Sequence, residues 1–454
     1  MNQATRETSI ASDAQSEGLA DRAVTPHRGA GMRRFLPAAL AVTAYSALAG
    51  ASYWHISRPE YRYQIALDAL AVGDVDQLRH EARALAGQPD YEPHARLLEA
   101  AYLIKTYRPG NAIEALKQAA QAPEIRPLAL TLAGESCLQA GLYAQAETFL
   151  RGALTLDVRQ AEAHRLFATL LYDIGDDARA LGEMHRSAEL APHDPRPHRL
   201  TGHIWFAGFH KWELAVAANQ ESLRRGPWQA DRYKILLEIA ESEVKRQHYA
   251  EALDTLQIFS RALVELSQDP AARRALMELT KAPLTDADIA DASAQALALR
   301  AECYVVEGRR ADALKVLENA LQIAPNNLAS LSLRARIALE RRQSRAAIDV
   351  LLHAVEAHPM DYPLREMLKQ AYQQIEDEQR AKEQFEIGQQ IYDKLQNFEL
   401  LRQKANARPQ DADIRYEMGM LARELRLSKN APQCFRAALF VNPSHEKAKQ
   451  ALRE

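Results

Sequence analysis

Apolar residues fall into two unlike patterns along the chain. From Phe35 to Trp54 they run without a charged residue for twenty positions, and a helix of that length spans roughly 30 Å, about the hydrocarbon thickness of a bilayer. After Pro59 they recur instead at helical spacing, in pairs of amphipathic segments broken by short turns. The stretches "AGESCLQAGLYAQAETFLRGALTLDV", "FATLLYDIGDDARALGEMHRSAELAP", "LRAECYVVEGRRADALKVLENALQIAP" and "LRARIALERRQSRAAIDVLLHAVEAHP" each read as a helix, a turn often carrying Gly, a second helix and often a closing Pro. Ala146 to Ala180, Ala313 to Ala347, Ala347 to Ala381 and Pro325 to Pro359 are each 34 residues apart. A fixed period of this size makes one helix pair the repeating unit.

The spacing and the small-residue positions resemble the tetratricopeptide repeat family. On that resemblance the small residue of the first helix falls on Gly134, Ala168, Gly202, Ala301, Ala335 and Gly419. The first small residue of the second helix falls on Ala146, Ala180, Ala215, Ala313, Ala347, Ala381 and Ala431, and a second on Ala153, Ser187, Ser222, Ala320, Ala354, Gly388 and Ala438. Closing prolines are Pro192, Pro227, Pro325, Pro359 and Pro443. Small side chains at a helix crossing let two backbones approach, and proline ends the second helix because it has no N–H to continue it. One pair cannot bury its apolar face alone, so the pairs must stack. The fold class implied is all-α: a right-handed α-solenoid of stacked helix-turn-helix repeats, preceded by a single N-terminal transmembrane or signal helix.

The family's large aromatic near the start of the first helix is mostly missing, and the period breaks twice. Ala252 to Ala313 is 61 residues and Ala381 to Ala431 is 50, so extra chain lies in "SQDPAARRALMELTKAPLTDADIAD" and "IYDKLQNFELLRQKANARPQD". The expected organisation is a tail over 1–31 and the apolar segment over 32–57, followed by a first array over 59–266. An insertion or divergent half-repeat over 267–291, a second array over 292–390, a linking helix over 391–410 and a last repeat with its capping helix over 411–454 complete it.

The tail is rich in Ser, Ala, Gly and charge and is too poor in bulky apolar residues to fold. Arg28, Arg33 and Arg34 precede the apolar run while Arg58 and Arg62 follow it with Glu60 between them, a bias that places the tail in the cytoplasm and the repeats outside, in the periplasm of a bacterial envelope. Two readings of the run stand. Tyr53 and Trp54 suit an uncleaved anchor through residues 35–54, whereas Ala47-Leu48-Ala49 offers a signal-peptidase site whose use would release a soluble secreted regulator of an enzyme. Lys and Arg number 57 against 60 Asp and Glu, a balance that argues against nucleic acid as a partner. Cys137, Cys303 and Cys434 are far apart and odd in number, as buried packing residues are and a disulfide framework is not.

The chain has no phosphate-binding glycine loop, no C-x-x-C pair and no G-x-S-x-G elbow. His80-Glu81 and His445-Glu446 open like zinc-protease motifs but meet Ala84 and Lys449 where the second histidine belongs. His185, His193, His198, His203 and His210 crowd one stretch, yet His198 and His203 are five apart and diverge on a helix, so no metal is expected. No cofactor, catalysis or small-molecule substrate is expected either; Asp269, Asp286, Asp288 and Asp291 in the insertion lack a nearby His, Cys or glycine loop. The family resemblance places a ligand groove on fixed positions of the first helices, here Arg165, Thr169, Tyr172, Arg196, Arg199, His203, Phe206 and Lys234. Arginine forks beside aromatic faces suit a carboxylate or an extended acidic peptide. The function implied is a scaffold or assembly factor that binds another protein or peptide in that groove.

Overall fold

The structure is a computed structural model that describes residues 58–106, 108–226, 232–268, 285–427 and 430–453. The apolar run, the tail and most of the insertion therefore lie outside the described residues, as do Pro227 and Trp228. Among the described residues every regular element is a helix, and none is long and apolar enough to cross a membrane. The chain divides into two units, Met1–Gln64 and Ile65–Glu454, and the packing described below is that of the second.

Numbered among the described residues, the helices are α1 (Pro59–Val72), α2 (Val75–Leu85), α3 (Glu92–Lys105), α4 (Pro109–Ala119), α5 (Arg126–Gln139), α6 (Tyr143–Leu156), α7 (Ala161–Asp173) and α8 (Asp177–Leu190). They continue as α9 (Arg196–His203), α10 (Trp212–Arg225), α11 (Arg232–Lys245), α12 (Tyr249–Gln268), α13 (Asp286–Val306), α14 (Arg310–Ile323) and α15 (Leu328–Glu340). The last are α16 (Ser344–Ala357), α17 (Tyr362–Gln374), α18 (Glu378–Ala407), α19 (Ala412–Glu424), α20 (Asn430–Val441) and α21 (Glu446–Arg453). From α3 onward each odd-numbered helix up to α19 packs on the even-numbered helix after it, and second helices pack on the next first helix. First helices also touch each other, α3 on α5, α5 on α7, α11 on α13, α13 on α15 and α15 on α17, so they form a shared wall on either side of α9. Because α13 meets both α11 and α12, the stack continues from α12 to α13.

Small residues make these crossings possible. Ala146, Ala153, Ala180, Ala215, Ala313, Ala320, Ala347, Ala354 and Ala438 are fully buried, as are Ala168, Ala301 and Ala335 on the first helices. A Cβ on Gly134 would lie 2.5 Å from Leu150 Cγ, and one on Gly419 would lie 2.5 Å from Phe435 Cδ1. Both distances are inside van der Waals contact, so the Leu150 side chain of α6 and the Phe435 ring of α20 occupy the space that a side chain on α5 or α19 would need. In five of the pairs the turn passes through a left-handed residue at a regular spacing: Gly141 and Gly175, then Gly308, Arg342 and Glu376, at intervals of 34 in each series.

Two features depart from a uniform array. The helix that follows α17 runs unbroken for 30 residues as α18, so the second helix of that pair and the extra chain after it are one element. Helix α13 is also long, 21 residues, and starts inside the extra segment at Asp286, where Thr285 and Asp288 cap it reciprocally. Asp288 is thus a capping carboxylate, with Thr285 Oγ1 at 2.7 Å.

Candidate functional site

Seven of the eight predicted groove positions lie on three successive first helices, Arg165, Thr169 and Tyr172 on α7, Arg196, Arg199 and His203 on α9 and Lys234 on α11, while Phe206 falls just beyond α9. All eight are neither fully buried nor fully exposed.

The arginines are already engaged. Arg165 clasps Glu162 of its own helix, Nε to Oε2 at 2.9 Å and Nη2 to Oε1 at 2.6 Å. Arg196 reaches back one repeat to the same carboxylate, Nη2 to Oε2 at 2.9 Å, and also holds Asp194 at 2.7 Å. Arg199 reaches forward to α11, where its two terminal nitrogens grip Glu238 at 2.8 and 3.0 Å. His203 Nδ1 lies 2.9 Å from Glu238 Oε1, and Asn219 Nδ2 of α10 donates to Oε2 at 3.1 Å. Lys105 and Glu135, 3.0 Å apart, extend the series toward the N-terminus, so a ladder of charge runs across α3, α5, α7, α9 and α11. The carboxylates expected from an incoming peptide are here supplied by the chain itself.

Burial alone would raise the Glu162 carboxyl, but the Arg165 guanidinium, with Arg196 behind it, brings it down to about 2. Burial likewise opposes ionisation of Glu238, and Arg199 and His203 overcome it, again to about 2. Asp177 behaves oppositely: burial pushes it up, with His203 pulling it down and Asp176 adding to the rise. Both glutamates therefore remain charged at neutral pH inside a half-buried network.

The other positions have quieter roles. Thr169 Oγ1 donates to its own helix at Arg165 O, 3.0 Å away. The Tyr172 ring stands edge-on to His203 with centroids 5.8 Å apart, and burial pushes its phenol up to about 12. Lys234 Nζ lies 5.8 Å from the Tyr233 ring centroid. Phe206 belongs to a five-residue π-turn, Ile204–Gly208, and packs edge-on to Trp212 at 5.7 Å. In that turn Phe209 N bonds to Ile204 O and Lys211 N to Trp205 O, which inserts one residue into the end of the first helix. Hence Ala180 to Ala215 is 35 residues instead of 34, and the left-handed turn residue arrives one place late, at His210.

The histidines do not converge. His203 is spent on Glu238, His210 on Phe206 O at 3.2 Å, and His185 stands 3.4 Å from Glu189. Burial lowers His198, whose Nε2 is enclosed without a hydrogen-bond partner. Among the described residues no group of three or more His, Cys, Asp or Glu is placed to hold a metal ion. Sequence reasoning missed Glu162, Glu238 and Asn219 as partners of the arginines. One signal was available: Glu162 precedes Arg196 by 34 residues, so a charge on one repeat faces its opposite at the same register of the next.

A tetratricopeptide repeat family profile matches residues 304–372, across α14, α15, α16 and most of α17. Residues 304–372 thus match the tetratricopeptide repeat family. No curated protein sequence matches it. Among solved structures, a tetratricopeptide repeat protein from Parabacteroides merdae aligns at 16% identity over 62% of this chain and 98% of that one, with a TM-score of 0.39. The Pseudomonas aeruginosa pilF protein aligns at 18% over 53% of this chain and 95% of its own, TM-score 0.38. MamA from Desulfovibrio magneticus, residue 41 to its end, aligns at 21% over 39% and 97%, TM-score 0.34.

Proposed function

We propose that the protein is a non-catalytic interaction scaffold whose wall of stacked first helices receives a protein or an extended peptide. Tetratricopeptide repeats bind peptides or proteins, and one observation supports that use here: the side chains of α7, α9 and α11 reach across from repeat to repeat, so they lie on one continuous surface. A ladder of paired charges presents alternating donors and acceptors, which suits a polar, extended backbone and sets its register better than it supplies raw affinity. An acidic ligand would enter by exchanging with Glu162 or Glu238. The scaffold is proposed to be held at the bacterial envelope membrane through residues 35–54, with its N-terminus in the cytoplasm and its repeats outside; fractionation with intact mass of the recovered chain tests that attachment, and a soluble product beginning near Gly50 would replace it with a released binder.

Site-specific photo-crosslinking tests the groove. A crosslinking side chain at Thr169 or Lys234 should capture the same partner in cells, whereas one at Leu352, exposed on the second helix α16, should not. Capture from Leu352 with none from the wall would move the binding surface to the outer helices.

A further inference from the structure

Helix α20 works on two faces. Ala431 and Phe435 are buried with Ala422 of its own partner helix α19. Gln433, Arg436 and Phe440, at i, i+3 and i+7, share another face, and that face lies on α6 and α7, far earlier in the chain. Gln433 Nε2 donates to Tyr172 O at 3.3 Å across 261 residues of sequence. Arg436 Nη1 stands 3.7 Å from Asp173 Oδ1, and Phe440 packs against the core that holds Tyr143, Leu166 and Leu170. Arg415 on α19 lies within the field of Asp176, the next acid of the same turn. The last repeat has come round to meet α6 and α7, and basic residues on it oppose acids at the end of α7.

We infer that the α19–α20 pair is a latch, closing the array against the end of α7 and opening when the Arg436–Asp173 contact is released. The contact set is built to let go. Arg436 and Asp173 remain 35% and 27% exposed, so salt screens their attraction, and one face of α20 carries most of the closure. By contrast, α20 is held to α19 by fully enclosed packing that salt does not touch. Closure also brings α20 onto Tyr172, one of the groove positions, so the latch sits at the edge of the wall whatever that wall binds.

The test uses the full-length chain with a pair of probes introduced at Arg186 and Lys447, both exposed and outside the contact, and reads the distance distribution between them. The wild-type chain at low salt should give one short distance. Arg436→Glu should shift it to longer, broader values, and Asp173→Arg combined with Arg436→Glu should restore it. An unmoved distribution in Arg436→Glu, or a double variant that stays open, overturns the latch. Should Arg436→Glu lose its helical circular dichroism, the wild-type chain decides: distances that lengthen from low to molar sodium chloride support the latch, and distances that do not move overturn it.

Discussion

Residues 161–245 and residues 298–372 are made from the same helix pair, yet they fill it differently. In the second region the buried positions of the second helices repeat without change: Ala313, Leu317 and Ala320 on α14, then Ala347, Leu351 and Ala354 on α16, all fully enclosed. In the first region the same three positions read Ala180, Met184 and Ser187 on α8, then Ala215, Asn219 and Ser222 on α10. Where one region has leucine, the other has a buried asparagine bonded to Glu238. The serines likewise turn to backbone, Ser187 Oγ to Ala161 O at 2.8 Å and Ser222 Oγ to Pro195 O at 3.1 Å. Apolar packing tolerates loss of one contact gradually, but a buried polar group is costly unless satisfied. The two regions therefore stand or fall for different reasons.

The largest effect that separates them is removal of a single carboxylate. Glu238→Ala would leave Arg199, His203 and Asn219 facing an empty, mostly buried site, and stranding a buried charge costs on the order of 3 kcal/mol. The pH dependence gives the sign independently. Glu238 titrates near 4.5 when unconstrained and is held at about 2 in the fold, so its stabilisation is complete above pH 4.5 and is lost as the pH falls toward 2. Thermal melts across that window should therefore show a shallower acid slope in Glu238→Gln than in the wild type. An unchanged slope would mean that the charge ladder contributes little to folding, and the contrast between the regions would shrink to packing alone.

The regular region breaks by crowding. Ala347 is fully buried where α16 crosses its neighbours, and Ala347→Trp inserts a large ring into a closed crossing, at a cost of about 1 to 3 kcal/mol. Urea unfolding of the full chain reads that loss as a lower midpoint with little change in slope. A variant as stable as the wild type would show that the crossing has room and that the small-residue register has been misplaced.

How much of this was readable beforehand follows from the same contrast. Period and small residues announce the repeat because a helix crossing constrains size at one position regardless of what surrounds it, which is why Ala146 aligns with Ala180, and Ala313 with Ala347, by counting. The π-turn could not be seen so directly. Its extra residue shows only as an interval of 35, and "HIWFAGFHKW" carries no marker that distinguishes an inserted helical residue from a longer loop. Seven of the eight predicted groove residues lie on α7, α9 and α11, and Phe206 lies in the π-turn, but their engagement is not legible in the sequence, because pairing depends on the rise between repeats. Glu162 sits 34 residues before Arg196, and only stacking turns that interval into 2.9 Å. The closure by α20 was wholly outside sequence reasoning, since nothing local links Gln433 to Tyr172.

The smallest effect tests the turn itself. Gly308 makes the left-handed turn between α13 and α14, while Arg342 and Glu376 make the equivalent turns after α15 and α17 with φ of 55° and 62°. An L-residue with a side chain meets its own carbonyl there at a cost of roughly 1 to 2 kcal/mol, and glycine does not, although glycine loses more chain entropy on folding, by about 0.5 to 1 kcal/mol. The balance favours glycine modestly. Glu376 is exposed, so Glu376→Gly removes no buried contact and should raise stability by up to about 1 kcal/mol, seen as a small increase in Tm. Destabilisation instead would show that the Glu376 side chain holds the turn, and that the regular region, too, depends on polar groups for its timing.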